Sequence, residues 1–328
     1  MDALEESSHP ASRRAADRLP SFIKFPALVL VSLSLSAFIH TLASNYTGPE
    51  LGSVSRELTE EWQIGVMVGW KLSELAAAWY LRYDYIDLAW LTLLSNVPHY
   101  FLLHTFFGID PLAALVPLAI DVVTIAIPFA IFRGTIHARD TTAPRTPNQL
   151  VAQDTGILVI IAALGAALYT ITIYTSFYTW LPTYMVIHFD GLKSLEKAHN
   201  AVGPILAILF LPLGYGAAHL IFVPAIGSPA NPGRTDPSLE KAVFDPANAT
   251  FGQTLAYNLG CSPAGFTPRA EILFKRTAIL ATSTFVNSLV RSYVTIEGTE
   301  FMGAVGWSSI WAVASLLTGL AFSWVGDE

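Results

Sequence analysis

The stretch Gly65–Leu81, with the sequence GVMVGWKLSELAAAWYL, is apolar enough for a membrane-spanning helix, yet it carries Lys71 and Glu74 near its middle. A span needs about 20 mostly apolar residues. A charge at the centre of the bilayer costs at least ~2.5–3.5 kcal/mol, even on the lenient insertion scale. The stretch therefore predicts a membrane helix whose charged residues face a partner or a cavity inside a helix bundle.

The composition of the whole chain supports this interpretation. Hydrophobic residues make up 53% of the 328 residues and charged residues only 13%, whereas an average soluble domain has about 25% charged residues. The net charge of −7 argues against nucleic acid as a partner. The single cysteine, Cys261, excludes an intrachain disulfide and a Cys-rich metal site. We therefore expect the lipid bilayer as the main partner, and no motif implies a metal or an organic cofactor.

Apolar segments of spanning length are spread evenly along the chain, and they predict an all-α, polytopic transmembrane helix bundle of about eight spans. The predicted spans are Phe22–Leu42, Trp62–Leu81, Leu88–Phe107, Leu112–Phe132, Ile157–Leu181, Val202–Pro224, Arg276–Ile296 and Phe301–Val325. They form one membrane domain over residues 22–325, with polar loops at 133–154 and 225–268 and polar tails at 1–21 and 326–328.

The basic residues predict the orientation of this bundle. Most of the 18 Lys and Arg residues fall on one side if the N-terminus is cytoplasmic, and cytoplasmic loops are enriched in such residues. Both termini and both long loops are therefore predicted to be cytoplasmic, in a protein of the endoplasmic reticulum membrane. The sequon Asn45-Tyr46-Thr47 then lies in the first non-cytoplasmic loop, where Asn45 is a predicted glycosylation acceptor.

Polar side chains on four of these spans are predicted to lie at a common depth, since a helix rises 1.5 Å per residue. Residues three apart also share a face of a helix. The members of this predicted polar layer are Lys71 and Glu74, Asn96 and His99, Asp121, and Asn287 with Arg291.

Such a layer can carry acid chemistry. Burial disfavours the charged form of a carboxylic acid, whereas a nearby cation favours it, so Glu74 and Asp121 can hold different protonation states. A neutral carboxylic acid in an apolar pocket suits protonation of a weakly basic oxygen or alkene. Glu74 and Asp121 are thus the predicted catalytic acid and its partner. The predicted residues for substrate binding or tuning are Lys71, Asn96, His99, Asn287 and Arg291.

The same residues also have a purely structural interpretation. Lys71 neutralises one of the two carboxylates and Arg291 the other, which ties helices together through interhelical polar contacts worth ~0.6–2 kcal/mol each. In this interpretation His99 donates to a backbone group that Pro98 leaves free.

Short runs in the second to fourth spans resemble a known family. The runs are Trp70–Leu75 (WKLSEL), Tyr83–Asp87 (YDYID), Leu91–Ser95 (LTLLS), and Ile120-Asp121 with Pro128-Phe129. They are similar to the fungal membrane-bound terpene cyclases of the ascochlorin and ascofuranone type, over roughly Phe22–Arg133. The resemblance implies cyclisation of an epoxidised prenyl chain on a meroterpenoid, an isomerase- or lyase-type step of secondary metabolism. It further implies a hydrophobic prenylated aromatic substrate, and other pathway enzymes in the same membrane as partners.

The predicted function is accordingly an acid-initiated terpene cyclase. A small-molecule or proton-coupled transporter is the first alternative, because buried carboxylates and a histidine also suit proton relays. A non-catalytic structural membrane protein is the second alternative, and it predicts that neutralising the charges alters stability only.

Overall fold

Helices make up nearly all of the described chain, which the computed structural model defines at residues 20–133, 154–226, 249–258, 261–262 and 265–325. Most of the predicted polar tails and loops, at 1–21, 133–154, 225–268 and 326–328, lies outside these residues. The expectation of an all-helical membrane architecture is confirmed.

The helices, in chain order, are α1 Ser21–Gly52, α2 Glu61–Tyr80, α3 Tyr85–Phe106, α4 Pro111–Phe132, α5 Thr155–Tyr178, α6 Leu181–His188, α7 Glu196–His199, α8 Gly203–Leu209, α9 Leu211–Ala217, α10 Val223–Ile226, α11 Phe251–Asn258, α12 Pro268–Thr295 and α13 Phe301–Trp324. A π-helical segment, Ala218–Phe222, joins α9 to α10. Between α11 and α12, the two-residue strands β1 (Cys261–Ser262) and β2 (Gly265–Phe266) pair in antiparallel fashion.

Four helices of the described chain, α1, α4, α5 and α13, are long and apolar enough to cross a membrane. A fifth span results if Gly203–Leu209 and Leu211–Ile226, which meet at a bend of 49°, are counted as one. The prediction of eight spans is not supported. Helices are present at the other three predicted positions, but α2, α3 and α12 are less apolar, because they supply most of the polar groups inside the bundle.

The first helix is longer than predicted. α1 continues to Gly52, ten residues beyond the predicted end, so Asn45 is an exposed residue within a helix and not in a loop. The hydroxyl of Thr47, which completes the sequon, donates to the carbonyl of Ala43 at 3.1 Å. Glycosylation of Asn45 stays a prediction.

Arg133 marks one end of the bundle, which we call the Arg133 end. Its guanidinium donates to the carbonyl oxygens of Ala78, Trp79 and Tyr83 at 3.2, 2.8 and 3.3 Å. The last carbonyls of a helix lack intrahelical partners, so Arg133 caps α2 from the end of α4. The guanidinium also lies over the Trp79 ring, 4.7 Å from its centroid.

Both ends of the described chain lie at the Arg133 end. The ring of Phe25, near the start of α1, lies 5.8 Å from the ring of Trp79. The Arg269 guanidinium at the start of α12 donates to the carbonyl of Val325, just after α13.

Three loops interlock at the opposite end. The amide of Arg56 donates to the carbonyl of Thr295 at 2.8 Å, and the amide of Asp190 donates to that of Gly298 at 2.8 Å. Gly298 has a φ of +72°, and a Cβ there would lie 2.6 Å from Cβ of Asp190. The position therefore requires glycine for two reasons: its left-handed backbone conformation and its close contact with Asp190.

Candidate functional site

A row of polar contacts joins α3 to α12, and we call it the polar ladder. The Arg276 guanidinium binds Asp87 with two contacts of 3.0 Å. Nδ2 of Asn287 donates to the carbonyl of Ser95 at 2.9 Å, and Nη1 of Arg291 donates to Oη of Tyr100 at 2.9 Å.

The sequence separation of the partners is nearly constant along the ladder, at 189, 192 and 191 residues. A constant separation means that α3 and α12 run in the same direction. Arg276, Asn287 and Arg291 fall on one face of α12, since the helix repeats every 3.6 residues. Their α3 partners are buried: Asp87 and Ser95 are inaccessible and Tyr100 is 7% exposed.

Asp121 on α4 extends the far end of the ladder into a cluster. Oδ2 of Asp121 lies 2.8 Å from Nη2 of Arg291 and accepts a hydrogen bond from the Tyr100 hydroxyl at 3.0 Å. Oδ1 lies 3.6 Å from Nε2 of His40 on α1. The carboxylate thus connects four helices, and both of its oxygens already have protein partners. This geometry suits a structural contact between helices.

Glu74 has a different cation as its partner. Oε2 of Glu74 lies 3.2 Å from Nζ of Lys71, one turn earlier on α2. The Glu74 side chain is 5% exposed, and its other oxygen, Oε1, has no hydrogen-bond partner within the described part of the chain. The two acidic residues of the predicted layer therefore pair with different cations: Asp121 with Arg291 and Glu74 with Lys71.

Asn287 joins three helices. Its Oδ1 accepts from the indole of Trp70 on α2 at 3.1 Å, while its Nδ2 bonds to the Ser95 carbonyl on α3. Asn96, one residue further on α3, donates instead to Thr92 of its own helix at 2.7 Å.

His99 is buried against Tyr100, with ring centroids 5.2 Å apart. Its Nδ1 has no hydrogen-bond partner among the residues that the structure describes. The carbonyl of Pro98 accepts from the indole of Trp307 at 3.1 Å, so this turn of α3 is stabilised by α13.

Several participants were missed by the sequence reasoning: Tyr100, Trp70, His40, Ser95 and Arg276. Asp84 caps the start of α3 by accepting from the Asp87 amide at 2.7 Å. Spacing on α3 gave no signal, because Asp87, Ser95 and Tyr100 point in different directions around a helix of 3.6 residues per turn. Their partners on α12 are 189 to 192 residues away in the sequence.

A cavity of about 360 Å³ lies beside the ladder, between α2 and α12. Its lining includes Trp70, Glu74, Ala77, Tyr83, Ala278 and Ile279. Burial raises the pKa of the Tyr83 phenol, which lies between α2 and α3, to about 12. The Arg276 guanidinium lies over the Tyr83 ring, 4.7 Å from the centroid.

Residues 154–325, just over half of the chain, match the family described as the bouquet formation protein 3 C-terminal domain. No curated protein and no solved structure matches the chain.

This match corrects the functional prediction. The matched family is not a terpene cyclase family, so the predicted resemblance, terpene cyclase activity and role in meroterpenoid metabolism are wrong. The resemblance rested on residues before 134, and the two predicted catalytic residues within it, Glu74 and Asp121, are partners in ion pairs. The chain belongs to the bouquet formation protein 3 family.

Proposed function

We propose that this protein is a non-catalytic membrane protein of the nuclear envelope that supports bouquet formation, the clustering of telomeres at that envelope in meiosis. The family match over residues 154–325 is the observation that carries the proposal. It corresponds to the structural alternative that the sequence left open.

The contacts of the polar residues support a structural role. Arg276, Asn287 and Arg291 each bond to α3, and Arg291 also pairs with Asp121 on α4. Such contacts fix the relative positions of the helices. The least apolar helix, α12, is thereby held inside the bundle by its polar groups.

The positions of the chain ends support a topology. Residues near both ends of the described chain lie at the Arg133 end, where Arg133, Arg269, Lys275 and Arg276 also lie. Basic residues favour the cytoplasmic side of a membrane. We assign the Arg133 end to the cytoplasmic face, which is the nucleoplasmic face once the protein reaches the inner nuclear membrane. Insertion takes place in the endoplasmic reticulum, whose membrane is continuous with the nuclear envelope.

The test is deletion of the gene in its own host, followed by imaging of labelled telomeres through meiotic prophase. We expect telomere clustering to fail without the protein, and a tagged full-length copy to restore it and to label the nuclear rim. Normal clustering in the deletion strain would contradict the proposal.

A double variant tests whether the function depends on the charged pair of α2. Glu74→Gln and Lys71→Met remove the two charges of the α2 pair while leaving the family-matched region unchanged. If the protein is non-catalytic, a stably expressed double variant restores clustering as well as the wild type does. Loss of clustering at normal protein level and location would contradict a purely structural role for this pair.

A further inference from the structure

Helix α2 ends in a Schellman motif that has an arginine where glycine is usual. The amide of Tyr83 donates to the carbonyl of Ala78 at 3.2 Å, and the amide of Arg82 donates to that of Trp79 at 3.3 Å. Arg82 thus occupies the left-handed position of the motif, which most often holds glycine or asparagine. Its φ is 58°, and within the described ranges it is the one non-glycine residue with a positive φ. Such strained residues concentrate at functional sites.

The side chain of Arg82 carries a positive charge that the rest of the described chain does not use. Arg82 is exposed, and its guanidinium has no hydrogen bond or ion pair to another described residue. Asp84, the nearest acidic residue along the chain, is inaccessible, and its carboxylate accepts from the Asp87 amide at the start of α3. Packing within the protein therefore does not explain an arginine at this strained position.

A second guanidinium lies beside Arg82. Nη2 of Arg133 donates at 2.8 Å to the same Trp79 carbonyl that accepts from the Arg82 amide. Burial and the nearby charge of Arg82 both lower the pKa of Arg133, as expected for two like charges at short range. Two further carbonyls and the Trp79 ring, 4.7 Å from the guanidinium, hold Arg133 in place. One cation of this pair is therefore fixed, and the other is exposed next to it.

The two cations lie at the level of a membrane interface. Arg133 directly follows α4, which is long and apolar enough to cross a membrane. Tyr80 and Leu81, immediately before Arg82, are 80% and 46% exposed. An exposed tyrosine at the end of an apolar helix is typical of the headgroup level of a bilayer. Two guanidiniums at this level attract an anion, and the planar fork of arginine matches two oxygens of a phosphate.

We propose that Arg82 and Arg133 bind the phosphate of an anionic phospholipid at the Arg133 end of the bundle. A zwitterionic headgroup is disfavoured, because its ammonium group would bring a further positive charge to the two cations. Anionic lipids give the cytoplasmic leaflet its negative surface potential, and the Arg133 end is the one that we assign to that side. The proposal does not depend on the role in bouquet formation, since both residues lie before the family-matched region.

The test measures lipid binding to the purified full-length protein in detergent by native mass spectrometry. The probes are phosphatidic acid, phosphatidylserine and phosphatidylcholine with identical acyl chains. We expect each anionic lipid to bind at least about fivefold more tightly than phosphatidylcholine. Glycerol 3-phosphate, which has the phosphate without the acyl chains, distinguishes a lipid site from a site for soluble phosphate. Equal affinity for all of these lipids would overturn the proposal, as would displacement of phosphatidic acid by an equimolar amount of glycerol 3-phosphate.

Arg82→Gly separates lipid binding from a structural role. Glycine adopts the left-handed conformation without strain and removes the exposed charge. The midpoint of thermal unfolding should therefore rise, while the affinity for phosphatidic acid falls at least about fivefold. Arg82→Lys keeps the charge but not the planar fork, and its affinity should lie between those of the wild type and Arg82→Gly. An arginine that serves stability alone predicts a lower midpoint with unchanged lipid affinity in Arg82→Gly, and that result would overturn the proposal.

Lys275→Ala is the matched control for charge. It also removes one exposed positive charge at the Arg133 end, but away from the Trp79 carbonyl that brings Arg82 and Arg133 together. Its affinity for phosphatidic acid should equal that of the wild type. An equal loss of affinity in Lys275→Ala and Arg82→Gly would show that only the overall charge of this end matters, and it would overturn a site at Arg82.

Discussion

Nη2 of Arg291 lies 2.8 Å from Oδ2 of Asp121, and this ion pair fixes α12 against α4. The two residues are 170 positions apart in the sequence, on helices that belong to different halves of the chain. The Asp121 side chain is 5% exposed and that of Arg291 20%. The pair is therefore shielded from solvent, and the Tyr100 hydroxyl bonds to both of its members.

Removing one member of this pair should destabilise the protein more than removing both. Asp121→Leu or Arg291→Met alone leaves a buried charge without its partner, which typically costs about 3–5 kcal/mol. The double variant removes both charges and should recover part of this loss. The measurement is the midpoint of thermal unfolding in detergent, and strictly additive effects of the two substitutions would contradict a direct pairing.

Arg133→Ala should destabilise the Arg133 end of the bundle. The substitution removes hydrogen bonds to the carbonyls of Ala78 and Trp79 at the end of α2 and to that of Tyr83 in the following loop. A loss of about 2–3 kcal/mol is expected for a cap with a charged donor. Lys275→Ala is a suitable control, because the Lys275 side chain is 69% exposed and its ion pair with Glu271 lies along its own helix. Protease cleavage between α2 and α3 should rise in Arg133→Ala alone.

Gly298→Ala should weaken the interlocked loops through both conformation and contact. A residue with a side chain costs about 1–2 kcal/mol in the left-handed conformation, and the new Cβ would also approach Asp190. Gly191 provides the matched control, since it has a φ of +73° with nothing within 4 Å of a Cβ. Gly191→Ala should show the conformational cost alone. Equal unfolding midpoints for the two variants would mean that the contact with Asp190 contributes nothing.

Tyr83 should make stability sensitive to alkaline pH. Burial raises its pKa from 10.0 to about 12, so the neutral phenol is favoured by folding. Its contribution to the free energy of unfolding is fully present below pH 10 and is lost as the pH rises from about 10 to about 12. The loss amounts to about 1 kcal/mol near pH 11. Tyr83→Phe lacks this ionisation, so its stability should fall less than that of the wild type between pH 9 and pH 11. Parallel curves for the two proteins would contradict the assignment.

The positions of the long helices could be predicted from the sequence because they depend on local apolar composition. All eight predicted segments coincide with helices or, at Val202–Pro224, with helical segments broken by a bend of 49°. The number of spans could not be predicted in this way. Polar residues on α2, α3 and α12 lower their hydropathy, and only the folded structure shows that partners inside the bundle satisfy these groups.

Local composition is enough to predict a helical membrane protein in which polar residues such as Glu74, Asp121 and Arg291 need partners, since lipid offers them none. The identity of those partners depends on how distant helices pack against one another. A sequence does not distinguish a carboxylate that lies near a cation from one that lies in an apolar pocket, because the neighbours that decide its protonation come from distant segments. Arg291 of α12 pairs with Asp121 of α4, whereas Glu74 pairs with Lys71 of its own helix.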